Sequence, residues 1–138
     1  MQDPIIEVQD FHKTYGDFAA VKKISFSVHP GEIFGLLGPN GAGKTTTLES
    51  LEGLRKPTSG RMRVGGFDPA GNAGGLHNVI GVQLQTSGLP EGITPSNAMK
   101  LFCSYHGVEP RLDLLGRLGL GEKKNTPYHQ LSTGQKRR

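Results

Sequence analysis

Gly38-Pro39-Asn40-Gly41-Ala42-Gly43-Lys44-Thr45-Thr46 fits the pattern Gly-x-x-x-x-Gly-Lys-Ser/Thr, the phosphate-binding P-loop. The preceding run, Ile33-Phe34-Gly35-Leu36-Leu37, is short and apolar and reads as a buried strand. In the residues that follow, Leu48, Leu51 and Leu54 recur at helical spacing, and the helix is expected to stop between Gly53 and Pro57. The motif therefore falls between an expected strand and an expected helix. Gly38, Gly41 and Gly43 tolerate backbone angles that side chains forbid, and they let amides approach a ligand closely. Successive N–H groups then form an anion nest, and the first helical turn adds its unpaired amides and positive dipole end. Lys44 is the residue type that reaches β and γ phosphates, and the Thr45 hydroxyl is the type that ligates Mg²⁺.

A chain of 138 residues is one ordinary domain's worth, with enough volume for one core. No run approaches about 18 consecutive apolar residues, so no membrane-spanning helix is expected. Met1-Gln2-Asp3-Pro4 lacks a basic region followed by an apolar run, so no signal peptide is expected. Cys103 is the single cysteine; it cannot form an internal disulfide, fits a reducing cytosol and reads as a small buried hydrophobe. The five histidines, His12, His29, His77, His106 and His129, show no metal-ligand spacing. The formal net charge is +4, but the cations are scattered, with one tight cluster at Lys136-Arg137-Arg138. That cluster reads as an exposed helical turn, and nucleic acid is not an expected partner.

Taken in order, Ile5 to Gln9 reads as a first strand, followed by a turn at Gly16-Asp17. Ile24-Ser25-Phe26-Ser27-Val28 alternates with period 2, a half-buried strand. Arg61 to Val64 reads as a further short strand, and the stretch from Gly65 to Gly75 as a loop. Val79 to Val82 reads as another core strand leading to Gln85. Thr94-Pro95 then opens a helix, with Ala98, Leu101, Phe102 and Tyr105 as its apolar face. Leu112 to Leu118 reads as a shorter helix stopped by Gly119 and Gly121, and a polar segment leads on to Leu131.

Three further features give the chain a family likeness: it resembles the ATP-binding subunit of ABC transporters. Leu131-Ser132-Thr133-Gly134-Gln135 is similar to the signature Leu-Ser-Gly-Gly-Gln, with β-branched Thr133 where the first Gly is usual. Gln85 falls where the family has its Q-loop glutamine, although Gln83 is adjacent. Tyr15 falls where an aromatic residue stacks on adenine. Each has a plainer reading too: a turn aromatic, a polar strand end, and a Ser N-cap with a Gly-flanked helix start.

The resemblance implies an α/β P-loop NTPase core of the ABC type, with an N-terminal antiparallel β-subdomain and a helical subdomain. Residues 1–85 would form the nucleotide-binding core, 86–130 the helical subdomain and 131–138 the signature with the start of its helix. It implies ATP and Mg²⁺ as ligands. Tyr15 and Gly38, Pro39, Asn40, Gly41, Ala42, Gly43, Lys44, Thr45 and Thr46 would bind the nucleotide. Thr45 and Gln85 would hold the metal, with Lys44 and Gln85 serving catalysis. Ser132, Gly134 and Gln135 would face the ATP of a second subunit in a head-to-tail dimer. Hydrolysis would drive a separate transmembrane permease, with this subunit peripheral on the cytoplasmic face. Leu51-Glu52-Gly53-Leu54, Pro57 to Gly60 and Gln85 to Leu89 look like bacterial exporters of the drug or antibiotic-resistance (ABC-2) type. The chain stops at Arg138, before the family's Walker B strand, catalytic Glu, D-loop and switch His. The expectation is an N-terminal fragment that binds nucleotide weakly and does not hydrolyse it. The alternatives are a soluble ABC ATPase with no transport role, another P-loop enzyme such as a small-molecule kinase, and a non-catalytic nucleotide-binding module.

Overall fold

A computed structural model describes residues 3–71, 73–83 and 88–138. The chain divides into two compact units, Met1–Gln83 and Leu84–Arg138.

The first unit is built on a three-stranded antiparallel sheet of order β2-β1-β3, with β1 at Ile6–Tyr15, β2 at Phe18–Val28 and β3 at Ser59–Val64. Both long strands run further than the alternation in the sequence predicts, because each carries a bulge. Val8 pairs with Phe26 and Phe11 with Ile24, so Gln9 and Asp10 together face Ser25. Asp10 takes φ 46, and its N–H donates to Ser25 Oγ at 2.8 Å. The extra residue returns Phe11 to the face of Val8, where strict period 2 would send it to the opposite face. A second irregularity, on β2, places Lys22 and Lys23 opposite His12, with Lys23 at φ 49. Val8, Phe11, Val21 and Met62 then form the buried core, with Ile6, Ile24, Phe26 and Leu51 packed against it.

The P-loop helix, α1 at Lys44–Leu51, ends as its glycine predicts. Gly53 lies at φ 79, its N–H donates to Ser50 O at 3.2 Å, and Leu54 N–H donates to Glu49 O at 2.9 Å. That pair of bonds is a Schellman closure. The face it buries differs from the leucine stripe. Leu48 and Leu54 are exposed, while Thr47 and Ser50 are buried. Their hydroxyls donate back to Gly43 O and Thr46 O, each at 2.8 Å, so burial leaves no polar atom unsatisfied.

Two expected strands are absent among the described residues. The segment 32–39 forms no ladder; Ile33 and Leu37 are 104% and 91% exposed, and Phe34 stacks on Phe26 with centroids 5.0 Å apart. Residues 80–83 also form no ladder, and Val79 and Val82 are exposed; α2, Ala73–Leu76, precedes them. The reason is common to both. An apolar run supplies one side of a ladder, and a strand exists only where a neighbour supplies the other.

Among its described residues the second unit carries three α-helices and a 3-10 turn at Tyr128–Gln130. The first is α3 at Pro95–Tyr105, with Thr94 as N-cap accepting from Asn97 N–H at 3.3 Å and Pro95 in the first turn. The second is α4 at Asp113–Arg117, closed by Leu120 N–H donating to Leu115 O at 2.7 Å. The third is α5 at Thr133–Lys136. Leu115, Leu120 and Leu131 are the buried residues of this unit among those described. The expected face of α3 is not core: Leu101, Phe102 and Tyr105 are exposed. Backbone bonds also join two segments of the unit. Tyr128 N–H donates to Ile93 O at 2.8 Å and Ser96 N–H to Lys124 O at 2.9 Å.

Candidate functional site

The P-loop lies against β2. Gly43, the N-cap of α1, takes φ 82 and has no Cβ to spare: one would sit 2.4 Å from Ala20 O and 2.7 Å from Val21 Cγ2. Only glycine allows this approach. Within the loop, Ala42 N–H donates to Pro39 O at 3.2 Å. The backbone N–H groups of Gly41, Gly43, Lys44, Thr45 and Thr46 have no acceptor among the described residues. No acidic residue stands in the first turn of α1. Unpaired amides and an undisturbed positive helix end are what an anion requires.

Lys44 turns back over the loop. Its Nζ donates to the carbonyl oxygens of Gly38 at 2.7 Å and Pro39 at 2.6 Å, so the ammonium is held at the start of the loop that carries the free amides. Of the consecutive threonines, Thr47 is committed to Gly43 O, whereas Thr45 is exposed and its side chain makes no hydrogen bond among the described residues. Its hydroxyl is available to a cation at the helix N-terminus. An open hollow of about 490 Å³ runs beside the loop, lined by residues including Phe18, Ala20, Lys22, Leu37, Ala42 and Lys44. Together, the amides, the ammonium and the hydroxyl fit a magnesium-bound polyphosphate.

Tyr15 closes β1 and is 41% exposed. Lys13 Nζ lies 5.1 Å and Arg55 Cζ 5.6 Å from its ring centroid. Arg55 is ion-paired with Glu49, whose hydrogen bond and charge, with Tyr15 adding to them, hold the guanidinium's pKa above its ordinary value. Neither Arg55 nor Lys13 is conspicuous in the sequence. Phe18, across the turn from Tyr15, is a second exposed aromatic.

Ser132, Gly134 and Gln135 belong to the second unit. Ser132 Oγ accepts from Gln135 N–H at 3.2 Å, and Gln135 Oε1 accepts from Ser132 N–H at 3.0 Å, a reciprocal capping box. Buried Leu131 anchors the motif, while Thr133 and Gly134 are exposed and a Cβ on Gly134 would meet nothing within 4 Å. Gln85 lies outside the described residues. Among the described residues there is no cluster of His, Cys, Asp and Glu that could hold a metal, and no helix long and apolar enough to cross a membrane.

Comparison with known proteins gives these parts a context. Residues 21–138 match the ABC transporter family. The Nod factor export ATP-binding protein I of Ralstonia nicotianae is 38% identical over 141 residues, covering 98% of this chain and 44% of that protein. The probable multidrug ABC transporter ATP-binding protein YbhF of Escherichia coli is 39% identical over 109 residues, covering 79% of this chain and 19% of that protein. The structure of cbiO1 from Clostridium perfringens, described as part of the ABC transporter complex cbiONQ, superposes with a TM-score of 0.78 at 27% identity. That match covers 99% of this chain and 59% of cbiO1. The chain thus spans less than two thirds of each of these relatives. A P-loop with free amides, an antiparallel sheet beside it and a capped Leu-Ser-Thr-Gly-Gln helix start agree with that match, and the chain belongs to the ABC transporter family as an ATP-binding domain.

Proposed function

We propose that this chain binds MgATP at Gly38 to Thr46, as the nucleotide-binding portion of a transporter's ATP-binding subunit. The observation that carries the reading is the set of unpaired N–H groups of Gly41, Gly43, Lys44, Thr45 and Thr46, in the loop whose first carbonyl oxygens hold the Lys44 ammonium. Those amides and the N-terminal end of α1 hold the β and γ phosphates. Lys44 exchanges its two carbonyl partners for phosphate oxygens, so that donor and acceptor both carry charge. Thr45 Oγ1 and Gln85 hold Mg²⁺, which when bound neutralises phosphate charge. Tyr15 stacks on adenine. Ser132, Gly134 and Gln135 meet the nucleotide of a second subunit in a head-to-tail dimer, with the capping box holding the Ser132 backbone in place.

In the whole protein, hydrolysis drives a membrane-embedded permease, and the subunit sits on the cytoplasmic face of the membrane. An export role is supported by the name of the Nod factor export relative, and the drug or antibiotic type by that of the probable multidrug transporter. No residue of the chain matches the family's general base, so the chain by itself holds nucleotide without turning it over. Calorimetric titration with ATP in the presence of Mg²⁺ tests the reading. Saturable binding lost in Lys44→Ala is expected. Binding unchanged by Lys44→Ala would refute the site, and phosphate release above background that Lys44→Ala abolishes would refute the inactivity.

A further inference from the structure

The C-terminal turn of α1 does more than end a helix. Gly53 reverses the chain so that Leu54 N–H and Arg55 N–H both donate to Glu49 O, at 2.9 and 3.2 Å. The Arg55 side chain is paired with the carboxylate of the same Glu49. Backbone and guanidinium are therefore tied to one residue of the P-loop helix. The segment that follows is fastened to the strand end that carries Tyr15. Thr58 N–H donates to His12 O at 2.9 Å, Thr14 N–H to Thr58 Oγ1 at 3.0 Å, and Lys13 Nζ to Lys56 O at 2.7 Å. Arg55 Cζ lies 5.6 Å from the Tyr15 centroid, inside the range of a cation–π contact.

We infer that Arg55, braced by Glu49, is a positioning residue that holds the Tyr15 ring for stacking on a nucleobase. The inference rests on the reading of Tyr15 as the adenine contact. An aromatic residue at a strand end loses rotamer freedom when it stacks, and that entropy is charged against binding unless the ring is already held. Arg55 suits the task because its planar guanidinium lies on an aromatic face while its N–H groups stay bonded to a carboxylate. One helix thus serves both parts of the ligand: its N-terminus faces the phosphates, and its C-terminal turn orients the base platform.

The test compares two ligands by calorimetry on the 138-residue chain: ATP, and inorganic tripolyphosphate, which has no base. Arg55→Ala is expected to weaken ATP about three- to fivefold, the size of an exposed cation–π contact, and to leave tripolyphosphate unchanged. Arg55→Lys should recover part of the loss. Glu49→Gln, which frees the guanidinium but keeps its charge, should weaken ATP alone and by less. Tyr15→Ala should weaken ATP about tenfold, as loss of one base stack does, and Arg55→Ala should then add nothing. Equal weakening of both ligands by Arg55→Ala, no change in either, or a gain in ATP affinity would overturn the role of Arg55. If Tyr15→Ala leaves the ratio of the two affinities unchanged, the stacking reading of Tyr15 fails on its own account.

Discussion

Gly41 and Gly43 sit two residues apart in the P-loop with nearly the same backbone, φ 84 and φ 82, yet they should respond differently to alanine. At both, alanine in the left-handed region costs about 1–2 kcal/mol. At Gly41 a Cβ meets nothing within 4 Å, so that strain is the whole cost. At Gly43 a Cβ falls 2.4 Å from Ala20 O and 2.7 Å from Val21 Cγ2. Ala20 O is backbone in β2 and cannot rotate away, so the loop must lift from the strand. Overpacking of this kind adds about 1–3 kcal/mol. The expected costs are therefore about 1–2 kcal/mol for Gly41→Ala and about 2–5 kcal/mol for Gly43→Ala. Urea unfolding followed by circular dichroism reads the difference. With a slope of about 2 kcal/mol per molar, the Gly43→Ala midpoint should fall about 1 M below that of Gly41→Ala. Coincident midpoints would refute the claim that the packing of Gly43 against β2 sets the loop's position.

The same reasoning applies to Gly60, where φ is 90 and a Cβ would sit 2.3 Å from Asp10 O: Gly60→Ala should lower the unfolding midpoint as Gly43→Ala does, and an unchanged midpoint would place the bulge elsewhere. Ser132→Ala removes the side-chain acceptor of the capping box and should cost about 1 kcal/mol by denaturant titration, whereas Ser132→Asp, which keeps an acceptor, should cost less. Asp113 titrates below its ordinary value because of its hydrogen bond from Arg111. Its folded pKa is the depressed one, so its contribution is present above the unfolded value and is lost as pH falls through the folded value. Arg111→Ala should raise the Asp113 midpoint, read by carboxyl-carbon NMR; an unmoved midpoint would exclude the pair as the cause.

Legibility in the sequence followed the span of each interaction. Thr94 with Pro95, the Ser132 cap, and the stops at Gly53 and Gly119 all close hydrogen-bonded rings within a few residues, and each is found where the residue types put it; the reciprocal bond from Gln135 is what the structure adds. The first strand was only half legible. Ile6 to Gln9 alternates, but Asp10-Phe11 breaks the period, and only pairing with Ser25 and Ile24 shows that a bulge, not a turn, causes the break. The leucine stripe after the P-loop misled for a related reason. Threonine and serine can be buried when they bond their own helix, and spacing alone does not reveal that choice.

The candidate site divides in the same way. Residue types and spacing alone picked out Gly38 to Thr46 as a P-loop motif and Ser132 as a helix cap, because each is written in a few consecutive residues. Tertiary structure decided that 32–39 has no ladder partner among the described residues, that Gly43 is pinned against Ala20, and that Arg55 stands over Tyr15. Each of those depends on a neighbour many positions away, and a contact between distant residues leaves no periodic trace in the chain.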